Sequence, residues 1–449
     1  MSDSDRPADT GENTPKIAPK TKAGPSRREF LTRSTAVAVA GTIAGQLSLA
    51  PGLFAAGSDV LKIGLVGCGG RGSGAASQAL HADPHVQLTA LGDAFADKLE
   101  SSLSNLTNSD VGQKVAVSSD HKFVGFDAYK GVIDSGVDVV VLATPPHFRP
   151  AHLQYAVEKG KHTFVEKPVA VDGPGVRSMM ATCEKAKQKN LAVVSGLCWR
   201  YHPGMRATFA KVLEGGVGDI VAIQATYLTQ TLKKFPRQPD WTDMEFQLRN
   251  WNGFTWLSGD FNVEQHVHSI DKVAWAMRDQ PPVRCMGVGG RQARTGDESG
   301  YVYDHFSVVY EYANGVKAFC TCRQMDGCDN DVTDHIFGTN GVCHVMDHEI
   351  AAGGKTTWKF RPKKGEVDMY QSEHNELFAS IRNGQPINNG DYMTKSTLMA
   401  IMGRMSAYTG KSITWEQALN SKESLGPGKY EWGGLAMPQV AVPGVTQFV

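Results

Sequence analysis

The chain has 449 residues, 41% hydrophobic and 20% charged, with 46 Lys plus Arg against 46 Asp plus Glu. That much apolar material suffices for more than one core and excludes a disordered chain. Charge parity argues against a protein that grips long nucleic acid, which requires a concentrated basic surface. Eight cysteines scattered from Cys68 to Cys343 are too sparse for a disulfide framework, so no covalent scaffold is expected and a small-molecule substrate is the default. Glycine, at 48 residues, is in excess, so tight turns and close backbone approaches are expected.

Residues 1–25 are rich in Asp, Lys, Pro, Thr and Gly without an apolar period, the composition of a disordered lead. Ser26-Arg27-Arg28-Glu29-Phe30-Leu31 follows, and after Arg33 no charge appears until Asp59; the tract ends in Ala55-Ala56-Gly57. Paired arginines, an apolar stretch and small residues have the layout of a twin-arginine export signal cleaved near Ala56. The other reading is a retained anchor, since the uncharged tract is long enough to span a bilayer. Residues 1–58 are therefore assigned to the lead and signal, with the export machinery as a partner and a periplasmic or otherwise exported location. That route moves folded proteins, so a cofactor would be enclosed before export.

Residues 59–190 read as a nucleotide-binding half. Residues 61–66 form a short apolar strand that runs into Gly67-Cys68-Gly69-Gly70-Arg71-Gly72. The spacing Gly67-x-Gly69-x-x-Gly72 after a strand and before a helix is the dinucleotide fingerprint, combining a tight turn, close pyrophosphate approach and close helix packing. A second strand from Val86 leads to Asp93, placed to accept from an adenosine ribose; this favours NAD, while Arg71 leaves NADP open. Residues 137–143 are a nearly continuous apolar run, as expected of a strand buried on both faces. Thr144-Pro145-Pro146-His147 breaks it at the carboxyl end, where open α/β sheets bind ligands. After a helix over 149–159, the strand 163–165 carries Glu166-Lys167-Pro168 at its tip, and a lysine there can serve as proton donor or electrostatic clamp.

Residues 191–449 are read as a substrate and oligomerisation domain. Strands are expected over 219–231, 283–290, 303–313, 316–325 and 332–337, with Ala313-Asn314-Gly315 as a hairpin turn. If the segment from Glu264 is helical, Glu264, His268, Asp271 and Trp275 share one stripe, which would aim an acid and an imidazole at one pocket. His266 with Glu264 and His268 offers a metal-ligand alternative. Arg200, Tyr201, Tyr303, His305 and Arg323 carry groups a polyhydroxylated ligand would bond, and Trp251, Trp256 and Tyr227 are rings that could stack on a sugar. The tail over 427–449 is open between wrapping a neighbouring subunit and hanging free.

The glycine loop, Thr144-Pro145, Glu166-Lys167-Pro168 and the histidine segment together resemble the Gfo/Idh/MocA oxidoreductases over residues 59–449. The resemblance implies an α/β chain: a Rossmann domain, then an α+β domain with a large, open, mixed and mainly antiparallel sheet, assembled as a homo-dimer or homo-tetramer. It implies NAD held by Gly67, Gly69, Gly70, Arg71, Gly72, Asp93, Thr144, Pro145, His147, Glu166 and Lys167. Lys167 then touches the reacting hydroxyl, and His268 and Asp271 match the family's Asp-x-x-x-His-x-x-Asp pattern. Glu264 replaces the first Asp and His266 is an extra imidazole, so the catalytic set is Lys167, His268, Glu264 and Asp271. Arg200, Tyr201, His266, Tyr303 and Arg323 are expected at the substrate, and no metal is expected. The expected chemistry is hydride transfer on a sugar, cyclitol or glycoside with tightly held NAD. Two alternatives stand beside it: a redox-neutral glycosidase, lyase or epimerase working through a transient keto-sugar, and a non-catalytic sugar-binding protein.

Overall fold

Leu61–Val66 (β1) reads Leu-Lys-Ile-Gly-Leu-Val, and every residue but Lys62 is buried, which places the strand at the centre of a sheet rather than its edge. The computed structural model describes residues 59–449 apart from 364, 366 and 367; the twin-arginine tract lies outside the described residues. Helix α1 (Gly70–Ala82) leads to β2 (Val86–Asp93), α2 (Ala96–Thr107) and β3 (Lys122–Val124). Next come α3 (Ala128–Asp134), β4 (Val139–Leu142), α4 (Arg149–Glu158), β5 (His162–Val165), α5 (Gly173–Gln188) and β6 (Val193–Ser195). All six strands run parallel in the order β3-β2-β1-β4-β5-β6, the doubly wound arrangement whose ligand crevice lies at the strands' carboxyl ends.

The expected boundary at residue 190 falls inside this sheet, because β6 pairs in parallel with β5 and carries the first sheet to Ser195. The chain also comes back to it. After the second sheet, α11 (Met369–Arg382) packs on α1 and puts Leu377, Phe378 and Ile381 into the first domain's core.

The second sheet begins after α6 (Pro203–Leu213) with β7 (Ile220–Thr229). Helices α7 (Asp243–Arg249), α8 (Thr255–Ser258), α9 (Phe261–Glu264) and α10 (Val267–Ala276) then intervene. Strands β8 (Arg284–Gly290), β9 (His305–Glu311), β10 (Lys317–Gln324), β11 (Asp334–Gly338), β12 (Gly341–His344), β13 (Glu349–Ala352) and β14 (Lys355–Lys359) follow. After α11 come α12 (Gly390–Thr409), β15 (Ile413–Thr414) and α13 (Trp415–Asn420). The order is β14-β13-β12-β11-β7-β10-β9-β8-β15, antiparallel throughout except between β7 and β10. The Asn314-Gly315 turn joins β9 to β10, with Gly315 at φ +87. Strands β12 to β14 are too short and polar to stand out in the sequence.

Alternation divides this sheet's faces. Ala318, Cys320 and Cys322 of β10 turn inward, toward a layer that includes α12, a helix buried almost all round. The other face leaves Val221, Met286, Val288 and Phe319 exposed. All eight cysteines are free, and all but Cys328 are buried, so they serve as small core residues.

The single helix expected from Glu264 is two. α9 ends at Glu264, α10 starts at Val267, and the His266 amide reaches five residues back to the Phe261 carbonyl at 3.2 Å. A widened turn of this kind inserts a residue into the helical repeat and is often found at functional sites. It dissolves the stripe that regular helical spacing implied.

Candidate active site

The 67–72 loop leaves β1 with Gly67 at φ +96, a conformation a side chain disfavours, and a Cβ at Gly72 would run into the Gly67 carbonyl. At Gly69 and Gly70 a Cβ would meet nothing within 4 Å, so these two face open space. That space is a cavity of about 290 Å³ at the carboxyl ends of β1, β2 and β4, lined among others by Gly69, Gly70, Asp93, Thr144 and Pro145. A bare glycine surface at a helix N-terminus, with a carboxylate one strand away, fits a dinucleotide's pyrophosphate and ribose. Asp93 accepts from the backbone amides of Cys68 (2.6 Å) and Phe95 (2.9 Å), while burial raises its proton affinity.

Arg71 lines the cavity, but its guanidinium is engaged elsewhere. It ion-pairs with Glu166, donates to Glu373 at 2.9 Å and Gln78 at 2.8 Å, and lies 4.9 Å from the Tyr370 ring centroid. The Arg71 and Glu166 side chains thus form a clamp between the phosphate loop, the tip of β5 and α11. This also removes Arg71 as a cation for a 2′-phosphate. Thr144 Oγ1 sits 3.3 Å from His152 Nδ1. His147 turns out of the cavity toward the tail, its Nε2 2.7 Å from the Tyr430 hydroxyl, and burial lowers its pKa to about 4.

At the tip of β5, Lys167 Nζ donates to the Glu264 carbonyl at 2.7 Å and to Glu264 Oε1 at 3.1 Å, with both side chains about 14% exposed or less. His268 shares their neighbourhood. Burial, then the charges of Lys167, Lys272 and Arg71, hold its proton affinity well below the usual imidazole value. Its Nδ1 is buried without a hydrogen-bond partner. A lysine fixed by a carboxylate beside a neutral imidazole is a set able to stabilise an alkoxide and take up a proton.

Other expected site residues lie elsewhere. Asp271, 1% exposed, is held by Arg200 through Nε (3.0 Å) and Nη2 (2.9 Å) and by Ser396 Oγ at 2.8 Å. Arg200 also pairs with Asp279 at 2.6 Å and lies over Trp275 and Tyr392, so the two residues neutralise each other away from the cavity. Tyr201 donates its hydroxyl to Asn389 at 2.7 Å, Tyr303 donates to the Ala441 carbonyl at 2.8 Å, and Arg323 donates to the Asp329 carbonyl. His305 pairs with Asp304 at 2.8 Å. For Asp271, Arg200, Tyr201 and Tyr303 the reason is common: a buried guanidinium, phenol or carboxylate must be bonded, and each finds its partner within the protein. His266 is wholly buried, its Nδ1 3.0 Å from Asn262 Oδ1, and burial brings its pKa to about 3. Among the described residues no group of three or more His, Cys, Asp or Glu side chains is arranged to hold a metal.

The structure adds residues that sequence reasoning passed over. Lys272, one helical turn beyond His268, forms a buried ion pair with Asp334 at 2.5 Å and lies 4.8 Å from the Trp199 ring centroid; a lysine at spacing four from the histidine was the available signal. Arg149, 4% exposed, donates to the Pro168 carbonyl, and burial lowers its pKa to about 10. Phe235, Leu248 and Arg249 cross from the second half to roof the cavity, together with Trp251, which the sequence offers as a stacking ring. Arg249 lies 4.0 Å from the Phe95 ring centroid and pairs with Asp97 at 3.1 Å. No periodicity marks Phe235, Leu248 or Arg249.

Comparison with known proteins agrees with this architecture. Residues 61–195 match a family model described as "Oxidoreductase family, NAD-binding Rossmann fold", and residues 205–344 match "GFO/IDH/MocA C-terminal domain". The trans-1,2-dihydrobenzene-1,2-diol dehydrogenase of Sus scrofa is 24% identical over 214 residues, 48% of this chain; the match spans only about half, 56%, of that relative's length. A glycosyl hydrolase family 109 protein of Shewanella pealeana is 25% identical over 359 residues, covering 73% of this chain and 75% of the relative. The aldose-aldose oxidoreductase of Caulobacter crescentus, solved with glycerol, superposes with a TM-score of 0.62 at 18% identity, covering 79% of this chain and 99% of that one, which shows a common fold. With its two halves matched in order by models of one family over more than half of its length, the chain belongs to the Gfo/Idh/MocA oxidoreductases, and its first domain is an NAD-binding Rossmann domain.

Proposed function

We propose that the protein is an NAD-dependent oxidoreductase acting on a sugar, cyclitol or glycoside, with the dinucleotide held through turnover. The observation that carries this reading is the Lys167, Glu264 and His268 group at the tip of β5, next to Glu166, which pairs with Arg71 of the glycine loop. Gly67 to Gly72, Asp93, Thr144 and Pro145 would hold the dinucleotide, which when bound supplies a hydride acceptor. Lys167 then donates to the reacting hydroxyl oxygen and stabilises the negative charge that grows there. Glu264 fixes the ammonium through its carbonyl and carboxylate. His268 is neutral at physiological pH and takes the hydroxyl proton at Nε2, since Nδ1 is buried.

A second reading is a redox-neutral cycle that oxidises a ring carbon, acidifies the neighbouring C–H, eliminates or exchanges a group and returns the hydride. The relative named as a glycosyl hydrolase, similar over most of both chains, supports it. We further propose export by the twin-arginine route, supported by the Ser26 to Leu31 motif, and assembly through the sheet face bearing Val221, Met286, Val288 and Phe319.

The deciding experiment releases the nucleotide from purified protein by denaturation for mass spectrometry, then incubates the protein with sugars and glycosides in D₂O and identifies products. A reduced second sugar in stoichiometric yield supports net oxidoreduction. Cleaved glycoside or epimer carrying solvent deuterium beside one carbon, without net redox change, supports the second reading. Sugar binding with no product and no change in nicotinamide absorbance would leave only a binding protein.

A further inference from the structure

From Ser421 onward the chain forms neither helix nor strand, yet a short part of this tail is bonded on both sides of the cavity's mouth. On the roof side, the Gly433 carbonyl accepts from the Met244 amide at 3.2 Å. The Leu435 amide donates to Asp243 Oδ2 at 3.2 Å, and the Leu435 carbonyl accepts from Gln247 Nε2 at 3.2 Å. All three bonds go to α7, which carries the lining residues Leu248 and Arg249. On the Rossmann side, the Tyr430 hydroxyl meets His147 Nε2 at 2.7 Å. Trp432 lies on Phe126 and Phe95, with ring centroids 4.7 and 5.5 Å apart, and both phenylalanines line the cavity near Asp93.

We propose that residues 430–435 are a clasp that fastens the roof to the Rossmann domain and so governs release of the bound dinucleotide. The proposal rests on the reading of the cavity as a retained-NAD site. The roof's other ties to the Rossmann domain include the Arg249 pair with Asp97, whose carboxylate is more than half exposed so that the pair is weak in water, and the ring contacts of Arg249 with Phe95 at 4.0 Å and of Lys98 with Phe235 at 5.8 Å. The adenine end of a dinucleotide whose ribose bonds Asp93 falls beside Phe95 and Phe126, the rings that Trp432 backs. Tyr430 and Trp432 are themselves 46% and 44% exposed, so on the Rossmann side the clasp is held by one bond and two rings at the surface, while the half-buried Leu435 stays packed on the roof's own cluster. A tail beginning beyond the last helix thereby decides whether the nucleotide behaves as a prosthetic group or as a diffusing cosubstrate.

The test uses the full chain loaded with radiolabelled NAD and chased with excess unlabelled NAD, reading release rather than turnover. Trp432→Ala with Tyr430→Ala is expected to release label at least about tenfold faster than the parent, with melting temperature nearly unchanged. Tyr430→Phe, which keeps the ring and loses only the bond to His147, is expected to fall between them and serves if the double variant does not fold. Release from both variants within twofold of the parent would overturn the clasp while leaving the retained-NAD reading intact. A parent that takes up no NAD would overturn that reading, and the clasp with it.

Discussion

Lys167 Nζ is bonded to the backbone carbonyl of Glu264 at 2.7 Å, a bond that exists because the helix is interrupted there. In a continuous helix that carbonyl would accept the His268 amide, but His268 donates to the Gln265 carbonyl at 3.1 Å instead. The widened turn thus frees an acceptor for the lysine and leaves the Glu264 carboxylate to make a second bond at 3.1 Å. A carboxylate one methylene longer than the family's usual aspartate is accommodated in this way.

Removing the ammonium is expected to cost more than removing the carboxylate charge. Lys167→Ala should lower kcat by about a thousandfold or more, and Glu264→Gln, which keeps the carbonyl bond, by about tenfold. Both should bind NAD as the parent does. Equal losses in kcat would show that the backbone bond contributes nothing.

The pH dependence of turnover should carry the mark of Lys272. His268 has its proton affinity lowered by burial first and then by Lys167 and Lys272, so the neutral base form persists below pH 6.5. The acid limb of kcat/KM is therefore expected below that value. In Lys272→Met combined with Asp334→Asn, which removes a buried charge pair without stranding one partner, the limb should move upward because a like charge near the imidazole is gone. A limb that stays put would exclude His268 as the titrating base.

Arg71 is expected to matter for stability in a pH-dependent way. Burial and the neighbouring Glu166 charge push the Glu373 carboxyl well above its usual range, and Arg71 opposes them. Without the guanidinium, Glu373 folds best when protonated; that stability is fully present below the unfolded carboxyl pKa and is lost as pH rises through the folded one. Arg71→Met should therefore lose about 3 kcal/mol at pH 8 and less at pH 6, and adding Glu373→Gln should recover part of the loss at pH 8. Guanidinium unfolding midpoints at the two pH values check this, and a pH-independent loss would contradict it.

Nucleotide choice should rest on Asp93. Its carboxylate lies at the cavity, and the nearby guanidinium of Arg71 is bound by Glu166 and Glu373. Asp93→Ser is expected to weaken NAD binding by about tenfold and to narrow the preference over NADP, read by titrating nucleotide fluorescence. An unchanged ratio of the two dissociation constants would place the ribose elsewhere.

Much of the fold was legible because its signals are local. The strand at 61–66, the glycine turn, the apolar run into Thr144 and the alternating strands of the second half each depend on spacing within a few residues, and the structure has them. Local spacing also misled at Glu264, where helical periodicity placed Asp271 and Trp275 on the same stripe. The inserted residue at the 265–266 turn breaks that register, and Asp271 goes to Arg200.

By itself, the sequence determined the order of the two domains, the glycine cradle and the chemical types gathered at Lys167, Glu264 and His268. Tertiary structure decided which charges meet: Arg71 with Glu166 and Glu373, 95 and 302 residues away, Arg200 with Asp271, 71 residues away, and Lys167 with Glu264, 97 residues away. The same holds for the roof over the cavity and for the tail bonded to the helix that carries it. The physical reason is that a buried charge must be neutralised by whatever opposite group folding brings within reach, and neither composition nor period encodes that proximity.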